Sequence, residues 1–325
     1  MIKKIISNIL NKRIKEVSSE SGNKTKWDLN PKKYPKRVME AYEIAEGNCP
    51  IDYTALDYEN SLFLPCDEKD IQAKGHIFNA EKILKWFNKR TENSCPMCKT
   101  TYESQEIDDL IEIAVDRFTS EAVKEQVDIF QIKKILTQGS ATDLNELFEK
   151  IDTEKRRLII SGMIASITQT EDGIIVLSKP EIRDLLVMIG KGETTEEIRG
   201  NISKAIKNIS RNERGRALFG TEAVRNMLVK MGNQAGSDRA RDKIAFAIGQ
   251  ITFENNKNQA LFGTEAVKEM LVKMGNQADS DGARVNIAFA IVRLTINNDK
   301  NQALFGTEAV RNMLVKMEKV KRRGN

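Results

Sequence analysis

From residue 107 onward, apolar residues return every third or fourth position, and the chain reads as a succession of helices. Residues 107–118 and 121–136 carry this spacing, Gly139-Ser140 interrupts it, and residues 143–151 and 154–167 resume it. The run Leu158-Ile159-Ile160-Ser161-Gly162-Met163-Ile164 is shorter than the roughly 18 apolar residues that mark a membrane span. It therefore reads as a buried helix, and no other stretch of the chain reaches that length. At the other end, Ile2, Ile5, Ile6, Ile9, Leu10 and Ile14 share one helical face, with Lys3, Lys4, Lys12, Arg13 and Lys15 mostly elsewhere. Such a basic amphipathic helix either lies on a membrane surface or packs against protein. Ser7, Asn8, Asn11 and Lys12 break its apolar run, which argues against a secretory signal. Residues 18–36 are polar and lysine-rich with two prolines and read as a linker, and residues 37–46 read as a short helix.

In the last part of the chain the periodic pattern itself repeats. Ala-Leu-Phe-Gly-Thr-Glu-Ala-Val begins at Ala217, Ala260 and Ala303, a step of 43 residues, and each copy is followed by Met-Leu-Val-Lys-Met. The spacing predicts a short helix ending at Gly220 or Gly263, and a second helix capped by Thr221 or Thr264 and closed by Gly232 or Gly275. A longer third helix follows. A more divergent copy precedes these, with residues 185–190 matching the second helix and residues 205–209 the third. The period and the third-helix ending, Ala205-Ile206-Lys207-Asn208-Ile209, resemble the armadillo repeat. That resemblance implies stacked repeats with a continuous core and a concave groove lined by third helices. It further implies that the Asn of the ending, and an aromatic four residues before it, bind an extended protein segment. The matching pairs are Lys204 and Asn208, Phe246 and Gln250, and Phe289 and Arg293, of which only Asn208 keeps the Asn. The substrate-binding set is then Asn208, Phe246, Gln250, Phe289 and Arg293, although Phe246 and Phe289 also read as core residues. The last copy stops after its second helix and runs into the basic stretch at 318–323, a solvated tail or a nucleic-acid patch.

Composition narrows the chemistry. The 325 residues are 40% hydrophobic and 30% charged, with 52 basic and 47 acidic residues giving a net charge of +5. That is an ordinary globular balance, and it gives no reason by itself to expect nucleic acid. All four cysteines, Cys49, Cys66, Cys95 and Cys98, lie within one stretch together with the only histidine, His76. The Cys95-Pro-Met-Cys98 knuckle has the spacing with which two thiolates grip tetrahedral zinc, and Cys66 and His76 are the natural other pair for a single structural ion. Cysteines gathered in zinc spacing suit a reducing, cytoplasmic compartment. With its one histidine so assigned, the chain has no second for a Ser-His or Cys-His nucleophile pair. Gly190-Lys191-Gly192 lacks the flanking residues of a phosphate loop and reads as a helix-ending turn.

The order Cys49-Pro-Ile51, Pro65-Cys66, Gly75-His76-Ile-Phe, Ile83-Leu-x-Trp86-Phe and Cys95-Pro96-x-Cys98-Lys99 resembles the RING/U-box domain of ubiquitin ligases. Laid on that pattern, Cys66, His76, Cys95 and Cys98 fall at the second zinc site. At the first site Cys49 remains, while Asp52, Asn79 and Lys82 stand in place of its partners, as in U-boxes that substitute hydrogen bonds and salt bridges for metal. The Cys66-to-His76 spacing is lengthened by a charged insert at 67–74. The resemblance implies binding of a ubiquitin-conjugating enzyme through Ile51, Trp86 and Pro96. It also implies a catalytic role for Lys99 in orienting the ubiquitin thioester. Ile51 and Trp86 also read as core, and Lys99 as a solvated lysine.

The expectation is a mainly α chain, with a small ββα RING/U-box-like module followed by an armadillo-type α-solenoid. The divisions fall at 1–38, 39–105, 106–168 and 169–325. U-box first and armadillo repeats after is an order similar to a class of plant ubiquitin ligases. The alternatives are a ligase for the modifier SUMO, or a non-enzymatic armadillo scaffold with a structural zinc module. The bias toward Ile, Lys and Asn fits an AT-rich genome, and an effector translocated into a host cytosol is one setting for it.

Overall fold

A computed structural model describes residues 48–54, 56, 61–65, 75–89, 93–118, 120–149 and 151–321. The expectations for residues 1–46, for Cys66 and the insert at 67–74, and for the tail beyond 321 lie outside these residues. Among the described residues there are sixteen helices and one two-stranded sheet, so the chain is mainly α. It divides into two compact units, one through Phe130 and one from Gln131. No described helix is long and apolar enough to cross a membrane.

The first unit is built on an antiparallel hairpin. Strands β1 (Ser61–Pro65) and β2 (Gly75–Asn79) pair with Leu62 opposite Phe78 and Phe63 opposite Ile77. Both faces of this ribbon are covered, which is why apolar residues run consecutively instead of alternating. Helix α1 (Ala80–Lys89) follows directly and buries Ile83, Leu84 and Phe87 at helical spacing. Phe87 meets Tyr102 edge-on at 6.2 Å between ring centroids. Helix α2 (Ser104–Arg117) starts in a reciprocal cap between Glu103 and Glu106 and buries Ile107, Leu110, Ile111 and Ala114 in the same core. Helix α3 (Glu121–Gln138) adds Val123 and Val127, and the Asn88 amide donates to the Gln126 carbonyl at 2.9 Å.

The second unit is an armadillo-type α-solenoid of repeated helix triplets. Helices α4 (Ala141–Phe148) and α5 (Glu154–Ile167) come first. The triplet α6 (Glu171–Leu177), α7 (Pro180–Lys191), α8 (Glu196–Ile209) follows. The next is α9 (Glu213–Phe219), α10 (Glu222–Asn233), α11 (Asp238–Thr252). Then come α12 (Asn256–Phe262), α13 (Glu265–Gln277), α14 (Asp281–Thr295), and finally α15 (Asp299–Phe305) and α16 (Glu308–Lys321). Third helices α5, α8, α11 and α14 pack in succession, as do second helices α7, α10, α13 and α16. Since α4 packs on α7, α4 and α5 act as the second and third helices of one more layer, and the stack begins within residues 106–168. Thr221 and Thr264 cap their helices, each hydroxyl accepting from the amide three residues on.

Gly232 and Gly275, expected to close the second helices, lie inside them instead. A Cβ at either position would collide with Met270 or Met313 of the next second helix, and one at Gly190 with Met227. The glycines are therefore sockets for the neighbouring methionine. At position 318, where a fourth glycine would fall, Glu318 stands exposed. Two polar devices repeat in step. Lys230, Lys273 and Lys316 each donate from Nζ to carbonyls at the end of the preceding second helix, the last two at 2.6 and 2.9 Å, where the helix dipole is negative. Glu196 accepts from Gly236 N at 2.8 Å and Ser237 Oγ at 2.6 Å, and Asp238 accepts from Asp279 N at 2.9 Å and from Ser280 N. Partial burial opposes the charge on both carboxylates. Hydrogen bonds from the next repeat and from Arg199 or Arg241 outweigh it and hold both below the usual carboxylate range.

Candidate functional site

Two short turns of the first unit share one backbone. In residues 49–54, Cys49 N donates to Thr54 O at 2.7 Å and Tyr53 N to Cys49 O at 2.8 Å. In residues 95–100, Cys95 N donates to Thr100 O at 2.8 Å and Lys99 N to Cys95 O at 3.1 Å. The fifth residue of each has positive φ, 58° at Tyr53 and 64° at Lys99, a left-handed conformation that a side chain adopts at a cost. The sequence echoes the geometry: Cys-Pro-Ile-Asp-Tyr-Thr against Cys-Pro-Met-Cys-Lys-Thr. Asp52 and Cys98 occupy equivalent places, and each bonds the Thr two residues on. Thr54 Oγ1 donates to Asp52 Oδ1 at 2.8 Å, and Cys98 Sγ lies 3.2 Å from Thr100 Oγ1.

What surrounds the two turns differs. Around Asp52 the partners are polar: Thr54 receives Asn79 Nδ2 at 2.8 Å, and Lys82 Nζ stands 3.5 Å from Asp52 Oδ2. Slight burial works against the Asp52 charge. The bonds from Thr54 and Cys49 and the nearby Lys82 outweigh it, so its carboxyl sits below the ordinary range. Asp52, Asn79 and Lys82, the three expected substitutes for metal ligands, thus meet in one network with Cys49. Around Cys98 the partners are metal-type donors. A ring nitrogen of His76, Cys95 Sγ and Cys98 Sγ all lie within 4.8 Å of one another, and Cys95 Sγ is 3.6 Å from His76 Nδ1. Two thiols and an imidazole this close suit a tetrahedral zinc, for which a fourth ligand is required. The expected fourth, Cys66, lies outside the described residues. His76 comes to this point from β2 and Cys95 from the start of the second turn.

Of the residues expected to dock a conjugating enzyme, Trp86 and Pro96 come together with Lys99. Lys99 Nζ donates to the Pro96 carbonyl at 2.8 Å and lies 5.7 Å from the centre of the Trp86 ring. Trp86 Nε1 donates to Ser94 O at 3.0 Å, which fixes the indole against the second turn. Trp86, Pro96 and Ile51 are each half-buried, Ile51 in the first turn, with Ile51 and Trp86 packed on the edge of the core. Tyr53 and Met97, at neighbouring turn positions, are 83% and 52% exposed.

On the second unit, the expected substrate residues divide. Phe246 of α11 and Phe289 of α14 are half-buried, with ring centroids 5.4 Å apart, and Phe289 lies where a Cβ on Gly249 would be. Arg293 stacks over Phe253 at 4.1 Å and Phe289 at 4.9 Å, and Gln250 is half-buried on α11. Asn208 is different. It is only 2% exposed, with Nδ2 3.4 Å from Thr168 Oγ1, so it ties its helix to the preceding layer and is closed to a peptide. Sequence reasoning passed over Lys207 and Lys243. Lys207 Nζ lies 5.1 Å over the Phe246 ring, and Lys243 lies against Gly200 of α8. Their signal was three lysines at helical spacing, Lys204 and Lys207 on α8 and Lys243 one turn before Phe246 on α11, whereas α14 carries none.

No protein-family model matches the chain, and no curated protein matches it in sequence. Solved structures with similar backbones include an engineered protein at 14% identity, with 65% of this chain and 98% of that one covered and a TM-score of 0.44. A designed armadillo repeat protein in complex with peptide (KR)4 is similar at 17% identity, with 65% and 97% covered and a TM-score of 0.43. A second designed armadillo repeat protein is similar at 18% identity, with 65% and 98% covered and a TM-score of 0.43.

Proposed function

We propose that the chain is a ubiquitin ligase of the RING/U-box type, whose first unit recruits a ubiquitin-conjugating enzyme and whose helical stack holds the protein to be modified. One observation carries the reading. Two turns of equal backbone flank α1, one closed by Asp52, Thr54, Asn79 and Lys82 and the other lined by His76, Cys95 and Cys98. A RING closes both such sites with zinc and a U-box closes both with polar bonds, so this unit reads as half of each. Zinc at the second site would act as a structural cross-link between β2 and the knuckle, held by His76, Cys95 and Cys98 with Cys66. Acceleration by such a protein comes from positioning, so the residues that matter present a surface and no nucleophile. Ile51, Trp86 and Pro96 would form that surface, and the exposed Lys99 ammonium beside Trp86 would donate to the bound thioester pair.

The test is chain formation in vitro by the full-length protein with purified activating enzyme, ubiquitin and a panel of conjugating enzymes. Wild type is expected to build chains with at least one of them. Ile51→Ala and Lys99→Ala are expected to lose most of that activity while folding normally. A parallel reaction with SUMO and its own enzymes distinguishes the other modifier. No product in any arm leaves the non-enzymatic scaffold as the reading.

A further inference from the structure

The third-helix face changes character along the stack. Lys204 and Lys207 of α8 cluster with Lys243 and Arg239 of α11, and Arg211 stands just past the end of α8. Arg199 of α8, Arg241 of α11 and Arg284 of α14 each pair with the carboxylate three residues earlier. Among the described residues no ion pair engages Lys204, Lys207, Lys243 or Arg239. The acid in their midst, Asp242, accepts from Asn286 Nδ2 of α14. Partial burial, and after it the neighbouring cations, push Lys207 and Lys243 below the usual lysine range against the partial opposition of Asp242, as expected where several cations share one carboxylate. The side of α14 turned away from α11 is apolar instead. Val285, Val292 and Ile296 are 59%, 54% and 43% exposed, at steps of seven and four residues, with Phe289 on the same stripe. The equivalent side of α11 is covered by α14, with Phe289 seated on Gly249.

We infer that this face binds an extended polypeptide segment that is acidic where it crosses α8 and α11 and apolar where it crosses α14. Carboxylates of the segment would neutralise the three lysines, and a large apolar side chain would cover the Val285–Val292 stripe beside Phe289. The inference rests on the helical stack being the part that holds the substrate protein. Its test is binding alone, so it stands or falls separately from any transfer activity.

Full-length protein is titrated into fluorescein-labelled synthetic peptides and followed by anisotropy. One peptide has a run of glutamates followed by leucine and phenylalanine, a second has the same apolar end after lysines and arginines, and an oligonucleotide serves as competitor. The acidic peptide is expected to bind about tenfold or more tightly than the basic one, and more weakly as salt rises. Lys207→Glu combined with Lys243→Glu is expected to cut that affinity about tenfold with an unchanged melting curve, and Val292→Asp to weaken it further. Equal or tighter binding of the basic peptide would overturn the inference. So would affinity indifferent to salt in the wild type, unaltered affinity in the charge-reversed variant, or displacement by an oligonucleotide that binds more tightly than the peptide.

Discussion

The paired turns of the first unit and the stacked triplets of the second both duplicate a backbone, and they keep the copies alike in opposite ways. Residues 49–54 and 95–100 have the same hydrogen bonds and the same left-handed fifth residue, yet one is locked by carboxylate, hydroxyl, amide and ammonium and the other is lined by thiols and imidazole. The triplets repeat their chemistry residue for residue: glycine receiving methionine, lysine on the preceding helix end, carboxylate on the next loop. A turn closes on itself, so any group that satisfies its interior will do. A repeat must receive its neighbour, and the shape of that neighbour dictates the residue. Local locks can therefore be exchanged, while stacking contacts must be copied.

The sharpest break in this comparison is at the second turn. Structural zinc in small modules supplies on the order of 10 kcal/mol of folding free energy. Chelation at neutral pH, or Cys95→Ser, should then abolish amide protection in β2, α1 and α2 while leaving α10 to α13 protected, read by deuterium exchange with mass spectrometry. Full protection after chelation would make the two turns alike. Next is a copied contact. Gly232→Val forces Met270 aside and should cost about 1–3 kcal/mol in thermal unfolding, with part recovered in the double variant Gly232→Val/Met270→Ala. Strict additivity would mean that the glycine is not a socket. At the first turn, Asn79→Ala removes one partly exposed bond and should cost about 1 kcal/mol without changing metal content.

The smallest effect concerns pH. Because the folded Asp52 pKa is lowered, its contribution is complete above the unfolded value of about 4 and fades as pH falls through the lower folded value. With so exposed a carboxylate this amounts to a few tenths of a kcal/mol. The Asn79 side-chain amide resonances should titrate with a midpoint below about 4 in the wild type and stay flat in Asp52→Asn. A midpoint above the ordinary value would contradict the network.

Much of this was written in the chain. The repeated octapeptides gave the triplets because near-identical copies fold alike, and the cysteine knuckle pointed to His76 because few residues bind zinc. Other features depended on neighbours that sequence does not name. Gly232 looks the same whether it ends a helix or admits Met270, since either needs only a missing Cβ. Asn208 matches a groove position by motif, but Thr168 and the preceding layer close over it. Helices α4 and α5 share the packing of later repeats without their words, because apolar spacing alone suffices to stack. Lys207 and Lys243 lie 36 residues apart and become one cluster only when α8 and α11 pack.

The central claim is that the first unit is metal-locked at one turn and polar-locked at the other, and zinc stoichiometry tests it most directly. Elemental analysis of purified full-length protein should give about one zinc per chain, as one four-ligand site requires. That zinc should persist in Cys49→Ser and disappear in Cys95→Ser. Two zincs, none, or loss of zinc in Cys49→Ser would contradict it.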